Sequence, residues 1–71
     1  MALDPRHGRA WYNLGLAQHA AGNSASALVS LQRGEAAAPA DPDLPYARAT
    51  ILAQLGRTAD ARTAAQRALA I

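Results

Sequence analysis

The stretch WYNLGLAQHAAG, residues 11–22, places a tryptophan, a Leu-Gly pair and a terminal glycine within the length of one short helix. A glycine in the middle of a helix lowers its stability by about 0.5–1 kcal/mol relative to alanine. Gly15 stands in that position, so we expect a second helix to approach it too closely for a side chain to fit. Gly22 then ends the helix, because glycine readily adopts the left-handed conformation that closes helices.

Composition restricts the protein to a small helical domain. Of its 71 residues, 20 are alanine and none is phenylalanine, so the core must be thin and closely packed. Alanine and leucine favour helices, and the sequence has no long runs of β-branched and aromatic residues. The absence of cysteine excludes disulfides and thiolate metal sites. All seven basic residues are arginine, which together with abundant alanine, glycine and proline is typical of a GC-rich, bacterial coding sequence.

Charge and hydropathy give no sign of a membrane or nucleic-acid partner. The net charge is +2 and the charged residues are scattered, so the basic balance alone does not indicate nucleic acid. No apolar run approaches the roughly 18 residues of a membrane span. The first residues, MALDPRHGR, lack the apolar core of a signal peptide. The sequence leaves the compartment open, with the cytoplasm as the default.

Proline and glycine divide the chain into four segments of helical length. Ser24 and Thr58 are predicted to cap the second and fourth segments. Asp41 can accept hydrogen bonds from the first turn of the third segment, where Pro42 suits the first helical position. We therefore predict four helices, at about residues 8–21, 25–37, 42–55 and 59–71.

The two halves of the chain are similar when one is shifted by 34 positions onto the other. Nine of the 37 pairs related by this shift are identical, and four of these nine are alanine pairs. The other five are a turn glycine, a linker proline, a tyrosine and an adjacent Gln-Arg pair. They join Gly22 to Gly56, Pro5 to Pro39, Tyr12 to Tyr46, Gln32 to Gln66 and Arg33 to Arg67. This distribution indicates a genuine internal repeat.

A helix–turn–helix repeat with this period and this signature resembles the tetratricopeptide repeat. In the first unit, five positions match the family pattern, and Gln18 and Leu31 stand where tyrosine and phenylalanine are usual. The matching residues are Trp11, Leu14, Gly15, Ala27 and Pro39. The second unit keeps Ala61 but departs from the pattern at Pro45, Arg48, Leu52 and Ala65, with Ala49 in place of glycine.

The resemblance implies an all-α fold of two antiparallel helix–turn–helix hairpins stacked as a right-handed α-solenoid fragment. It divides the chain into residues 1–7, the tail of a preceding repeat, residues 8–41 and residues 42–71, an incomplete repeat. Gly15 and Ala27 would let the helices of the first unit pack closely, with Trp11 and Leu14 filling the space beside the crossing. Ala49 and Ala61 would pack the second unit in the same way.

Two repeats are few for this architecture, which usually needs about three. The last helix is expected to expose Leu69, Ile71 and neighbouring alanines. We therefore expect either a fragment of a longer array or a chain that associates with itself through this surface.

By the same resemblance, the first helix of each unit lines a concave groove that binds peptides or partner proteins. The residues expected on that face are Arg9, Tyr12, Asn13, Leu16, His19 and Ala20, then Asp43, Tyr46, Ala47, Thr50, Ala53 and Gln54. Tyrosines offer rigid contact area, Asn13 can hydrogen-bond a peptide backbone, and Arg9 and His19 could meet a carboxylate. A clamp for the C-terminal carboxylate of a chaperone tail is disfavoured, because only Asn13 and Arg9 could contribute and the chain has no lysine.

Catalysis is not expected of this chain. His7 falls in a predicted linker and His19 on a helix face. Ser24, Ser26 and Ser30 lack a histidine and an acid at a recognisable spacing, and no phosphate-binding loop or paired carboxylates occur. We therefore predict a non-catalytic interaction module without cofactor or metal.

A helix-turn-helix DNA-binding domain is the remaining alternative, because LAQHAAGNSASALVSLQRG contains the right kind of parts. Asn23 stands where a buried aliphatic residue would anchor such a turn. The second helix offers only serines and a late Arg33, and a basic stripe is lacking.

Overall fold

Four α-helices make up the part of the chain that the computed structural model describes, residues 5–71, with side chains described from His7 onward. The helices are α1 Pro5–Ala20, α2 Ser24–Ala37, α3 Asp43–Gln54 and α4 Thr58–Ala70. The prediction of an all-α fold with four helices is confirmed. α1 begins at Pro5 rather than at about residue 8, so His7 lies in its first turn and not in a linker. Residues 1–4 of the predicted repeat tail lie outside the described residues.

The turns between α1 and α2 and between α3 and α4 have the same geometry. Gly22 has a φ of 88° and Gly56 a φ of 79°, which places both in the left-handed region. In each turn the N–H groups of the glycine and of the next residue donate to the carbonyls three and five residues earlier. These bonds measure 3.0 and 2.8 Å in the first turn and 3.1 and 2.9 Å in the second. This Schellman arrangement confirms both predicted helix stops.

The predicted caps Ser24 and Thr58 are wrong, because each is the first residue of its helix. Asn23 and Arg57 precede them at the N-cap positions, and neither forms a side-chain capping hydrogen bond. Ser24 Oγ lies instead 3.0 Å from Nδ1 of His19, across the turn.

The start of α3 follows the prediction for Asp41. Its Oδ1 accepts a hydrogen bond of 3.0 Å from the backbone N–H of Asp43. A free N–H of the first helical turn is thereby satisfied. Pro42 occupies the N-cap position, so the prediction that it takes the first helical position is wrong. The chain between the two helix pairs thus leads into α3 with a defined geometry.

α1 and α2 cross closely at Gly15. A Cβ at this position would lie 2.9 Å from Cγ of Leu31 and 3.3 Å from the carbonyl oxygen of Ala27. Leu31 and Ala27 are fully buried, so neither can move away at low cost. The predicted close crossing at Gly15 and Ala27 is confirmed, and Leu31 fills the space that the missing side chain leaves.

Trp11 and Leu14 do not fill the space beside that crossing. Trp11 is half-buried and packs at a second close approach, where a Cβ on Gly34 would lie 3.0 Å from the Trp11 Cβ. Leu14 is 44% exposed. The prediction for Leu14 is therefore wrong, and an apolar side chain is left on the outer side of α1.

α3 joins the two helix pairs. It contributes Leu44, Ala47 and Ile51 to one buried cluster with Ala27 and Leu31 of α2. α3 contacts both α1 and α2, whereas α2 and α4, which are described in full, do not contact each other. The second helix pair has its own buried cluster, and Leu28 of α2 packs against both. That second cluster consists of Ala49, Leu52, Ala61 and Ala64, which confirms the predicted packing of Ala49 and Ala61.

We expect Gly15→Leu to lower the free energy of unfolding by about 1–3 kcal/mol, because it forces bulk against the fully buried Leu31. Urea denaturation followed by circular dichroism measures the change. Ala17→Leu is the matched control, since Ala17 is exposed on the same helix and leucine has nearly the helix propensity of alanine. Equal stability of the two variants would contradict the close crossing.

We expect Gly22→Ala and Gly56→Ala to lower stability by similar amounts, about 1–2 kcal/mol each, because both glycines have positive φ. No atom lies within 4 Å of a Cβ added at either position, so the cost comes from the backbone alone. Thermal unfolding measures both variants. Asparagine at the same positions should recover part of the loss, since it tolerates the left-handed region. A gain in stability from alanine would refute the shared turn geometry.

Candidate functional site

α1 and α3 lie side by side, although they belong to different helix pairs. The residues predicted for the groove come from these two helices, and we call the surface they share the α1–α3 face. Its predicted members are Arg9, Tyr12, Asn13, Leu16 and His19 of α1 and Asp43, Tyr46, Thr50 and Gln54 of α3.

An arginine and two aspartates connect the helices at one end of the α1–α3 face. Arg9 Nη1 donates to Oδ2 of Asp43 over 3.0 Å and lies 3.6 Å from Oδ2 of Asp41. The guanidinium also lies over the Tyr12 ring, 4.4 Å from its centroid, a cation–π contact. Arg9 is thus held by two carboxylates and a ring. Among the described residues, one positive and two negative charges meet at this end, which gives it a net negative charge.

A histidine makes the corresponding connection at the other end. Nε2 of His19 lies 2.7 Å from Oε1 of Gln54, and Nδ1 lies 3.0 Å from Oγ of Ser24. Because the amide oxygen of Gln54 only accepts, Nε2 carries a proton in this arrangement. Both ring nitrogens are therefore engaged, and the ring is fixed between α1, α3 and the start of α2.

The centre of the face is open and mixed in character. Tyr46 is 67% exposed, Leu16 is exposed, and Asn13 is exposed with no hydrogen bond to any described residue. Thr50 donates its hydroxyl to the Tyr46 carbonyl over 3.1 Å, which leaves its methyl group outward. A flat ring, an apolar side chain and a free amide are therefore exposed on these two helices.

Two residues that were predicted to be accessible in the groove are buried or half-buried. Ala47 is buried in the cluster with Leu31 and Leu44, so it is not accessible. Tyr12 is half-buried and packs against the same cluster, which gives it a structural role as well. Ala20 and Ala53 are exposed as predicted.

Sequence reasoning missed one ion pair, between α2 and α3. Arg48 Nε lies 3.1 Å from Oε2 of Glu35, and the two side chains are only 14% and 17% exposed. Both residues line a cleft of about 430 Å³, whose walls also carry Gln32 and Arg67. Glu35 and Arg48 are 13 positions apart and on different helices, so no periodicity in the sequence signals the pair.

The described residues offer no group of three or more histidine, cysteine, aspartate or glutamate side chains that could hold a metal ion. Ser30 donates its hydroxyl to Oε1 of Gln18 over 2.6 Å, and not to a histidine. No helix in the described part of the chain is both long and apolar enough to cross a bilayer.

We expect the Arg48–Glu35 pair to stabilise the fold more than the Arg9–Asp43 pair, and with less dependence on salt. The first pair is mostly buried, whereas Arg9 and Asp43 are 51% and 58% exposed, so water and ions screen their attraction. Double-mutant cycles with alanine, at low and high salt, measure both couplings. We predict an Arg9–Asp43 coupling below about 1 kcal/mol that shrinks with salt. A larger and more salt-sensitive coupling for that pair would reverse the ranking.

Comparisons of this chain with protein-family models, with curated proteins and with solved structures gave no match.

Proposed function

We propose that the protein is a non-catalytic interaction module of the tetratricopeptide type, which binds an extended peptide segment of a partner protein across the α1–α3 face. One observation carries the proposal. Contacts at both ends of that face, Arg9–Asp43 and His19–Gln54, hold two helices from different hairpins in one surface, with exposed residues between them. A surface fixed in this way loses little conformational entropy when it binds.

Three features support the tetratricopeptide type, with its right-handed stacking of hairpins. The turn glycines Gly22 and Gly56 are related by the internal repeat and share one hydrogen-bond pattern. Gly15 meets Leu31 and Ala27 in a close crossing, as the family pattern implies. Each helix pair also buries small residues between its helices.

The chemistry of the face favours a particular kind of peptide. Asn13 can donate to and accept from a peptide backbone, and Tyr46 with Leu16 offers apolar contact area. Arg9 is already bound by Asp41 and Asp43, and both nitrogens of His19 are engaged. A ligand carboxylate would have to compete with these contacts for Arg9 and His19. The net negative end favours a basic residue in the ligand, so we propose an extended segment with an aromatic or aliphatic residue beside an arginine or lysine.

Selection from a display library of random linear peptides on the immobilised chain tests this proposal. We expect enriched sequences to combine an apolar and a basic residue. Asn13→Ala with Tyr46→Ala should weaken binding of a selected peptide at least about tenfold, which corresponds to about 1.4 kcal/mol. Tyr46 is a better choice than Tyr12, because Tyr12 packs against the core. Isothermal titration calorimetry measures the affinities.

Val29→Ala with Gln32→Ala is the matched control, because it removes an apolar side chain and an amide from an exposed part of α2. This variant should bind the peptide as the wild type does. Failure to enrich any peptide, or equal loss of affinity in both double variants, would refute the proposal.

A further inference from the structure

The surface of the first hairpin that α3 covers has a counterpart on the second hairpin that no described residue covers. A shallow depression of about 380 Å³ lies on the outer side of α3 and α4. Its lining residues are Tyr46, Ala49, Thr50, Ala53, Thr58, Ala61, Arg62 and Ala65. The residues of the first hairpin that lie 34 positions before these are Tyr12, Gly15, Leu16, His19, Ser24, Ala27, Leu28 and Leu31. Five of these, Tyr12, His19, Ala27, Leu28 and Leu31, contact α3 or the cluster that it completes.

The opposite end of the chain carries the counterpart of α3 itself. Leu44, Ala47, Arg48 and Ile51 are the α3 residues that face the first hairpin. The residues 34 positions earlier, Ala10, Asn13, Leu14 and Ala17, are all exposed on α1. The outer side of α1 therefore presents to solvent the same positions that α3 uses to join the two hairpins.

Two pairs of residues show that these open surfaces are complementary. Arg9 and Asp43 pair within the chain and lie 34 positions apart, so stacking of a second copy would bring its Arg9 to Asp43 of the first. The charges would then alternate in a continuous row along the inner side of the stack.

The second pair replaces the Glu35–Arg48 ion pair. The corresponding residues are Leu69, 34 positions after Glu35, and Leu14, 34 positions before Arg48. Leu69 is 88% and Leu14 is 44% exposed in the single chain. Where the internal junction has two opposite charges, the junction between copies would have two leucines in contact.

We propose that a second copy of this chain docks head to tail, with its α1 on the outer side of α3 and α4 in the position that α3 takes on the first hairpin. The contact uses different surfaces on the two copies, so it does not close on itself and adds further copies in the same direction. In the contact between copies, Ala65 takes the position that Leu31 has in the internal junction. Ala10 and Ala17 take the positions of Leu44 and Ile51. The contact therefore buries less apolar area than the internal junction. The association is therefore weaker than the packing within the chain.

Variants in which one of the two contact surfaces is blocked test whether copies associate and whether they do so head to tail. Leu14→Glu blocks the α1 surface, and Leu69→Glu blocks the α4 surface, because each buries a carboxylate against leucine. Sedimentation equilibrium of the wild type, from about 10 µM to about 1 mM, should show a mass that grows beyond a dimer with concentration. Each variant alone should remain monomeric. An equimolar mixture of the two should form a dimer and stop there, since only one pair of intact surfaces remains.

Leu55→Glu is the matched control, since Leu55 is 47% exposed, close to the 44% of Leu14. Leu55 follows α3 and does not line the depression on which the second copy docks. This variant should associate as the wild type does, and circular dichroism checks that all variants are folded. A monomeric wild type, self-association of either blocked variant, or a mixture that stays monomeric would each overturn the proposal.

The stacking surfaces include Asn13 and Tyr46, which are also proposed to contact the peptide, so the two proposals are separated with variants outside that set. Leu14 and Leu69 are not among the proposed peptide-contacting residues, so peptide affinity is also measured on the monomeric Leu14→Glu chain. Retained peptide binding there, with lost association, separates the two surfaces. Loss of peptide binding in that variant would count against the α1–α3 face of a single chain as the binding site, whatever the sedimentation result.

Discussion

The close approach of α1 and α2 around Leu31 is the contact on which the rest of the structure depends. Gly15 leaves the space that Leu31 fills, and Leu31 forms part of the cluster that receives Leu44 and Ile51 of α3. One fully buried side chain thus serves both the crossing within a hairpin and the junction between hairpins. The chain has no phenylalanine and few large apolar side chains, so the small residues around Leu31 determine how closely the helices pack.

The position of the candidate site follows from this junction. α3 packs on both helices of the first hairpin, so it comes to lie beside α1 while α2 and α4 remain apart. That arrangement brings Arg9 to Asp43 and His19 to Gln54, although each pair is far apart in sequence. The proposed peptide surface lies on the two helices that this junction places side by side. The proposed stacking contact repeats the same helix packing between two copies of the chain.

Sequence reasoning predicted the helices and the turns well because their causes are local. Gly22 and Gly56 act through their own backbone conformation, and Gly15 signals a close neighbour by its position alone. The capping predictions for Ser24 and Thr58 failed, because the helices begin one residue earlier. Of the predicted site, Arg9 contacts Asp43 and His19 contacts Gln54 between the two helices. Ala47 is buried and Tyr12 packs against the core.

Local sequence signals are enough to predict an all-α chain of four helices, with two glycine turns one repeat apart and a close helix crossing at Gly15. Helix propensity, left-handed glycine and apolar spacing are properties of short segments, so they can be read without coordinates. The packing of the helices is needed to show that Arg9 is bound by two aspartates, that Arg48 pairs with Glu35, and that Leu14 faces solvent. Each of these depends on which helices become neighbours and at what rotation, and a single helix does not encode that.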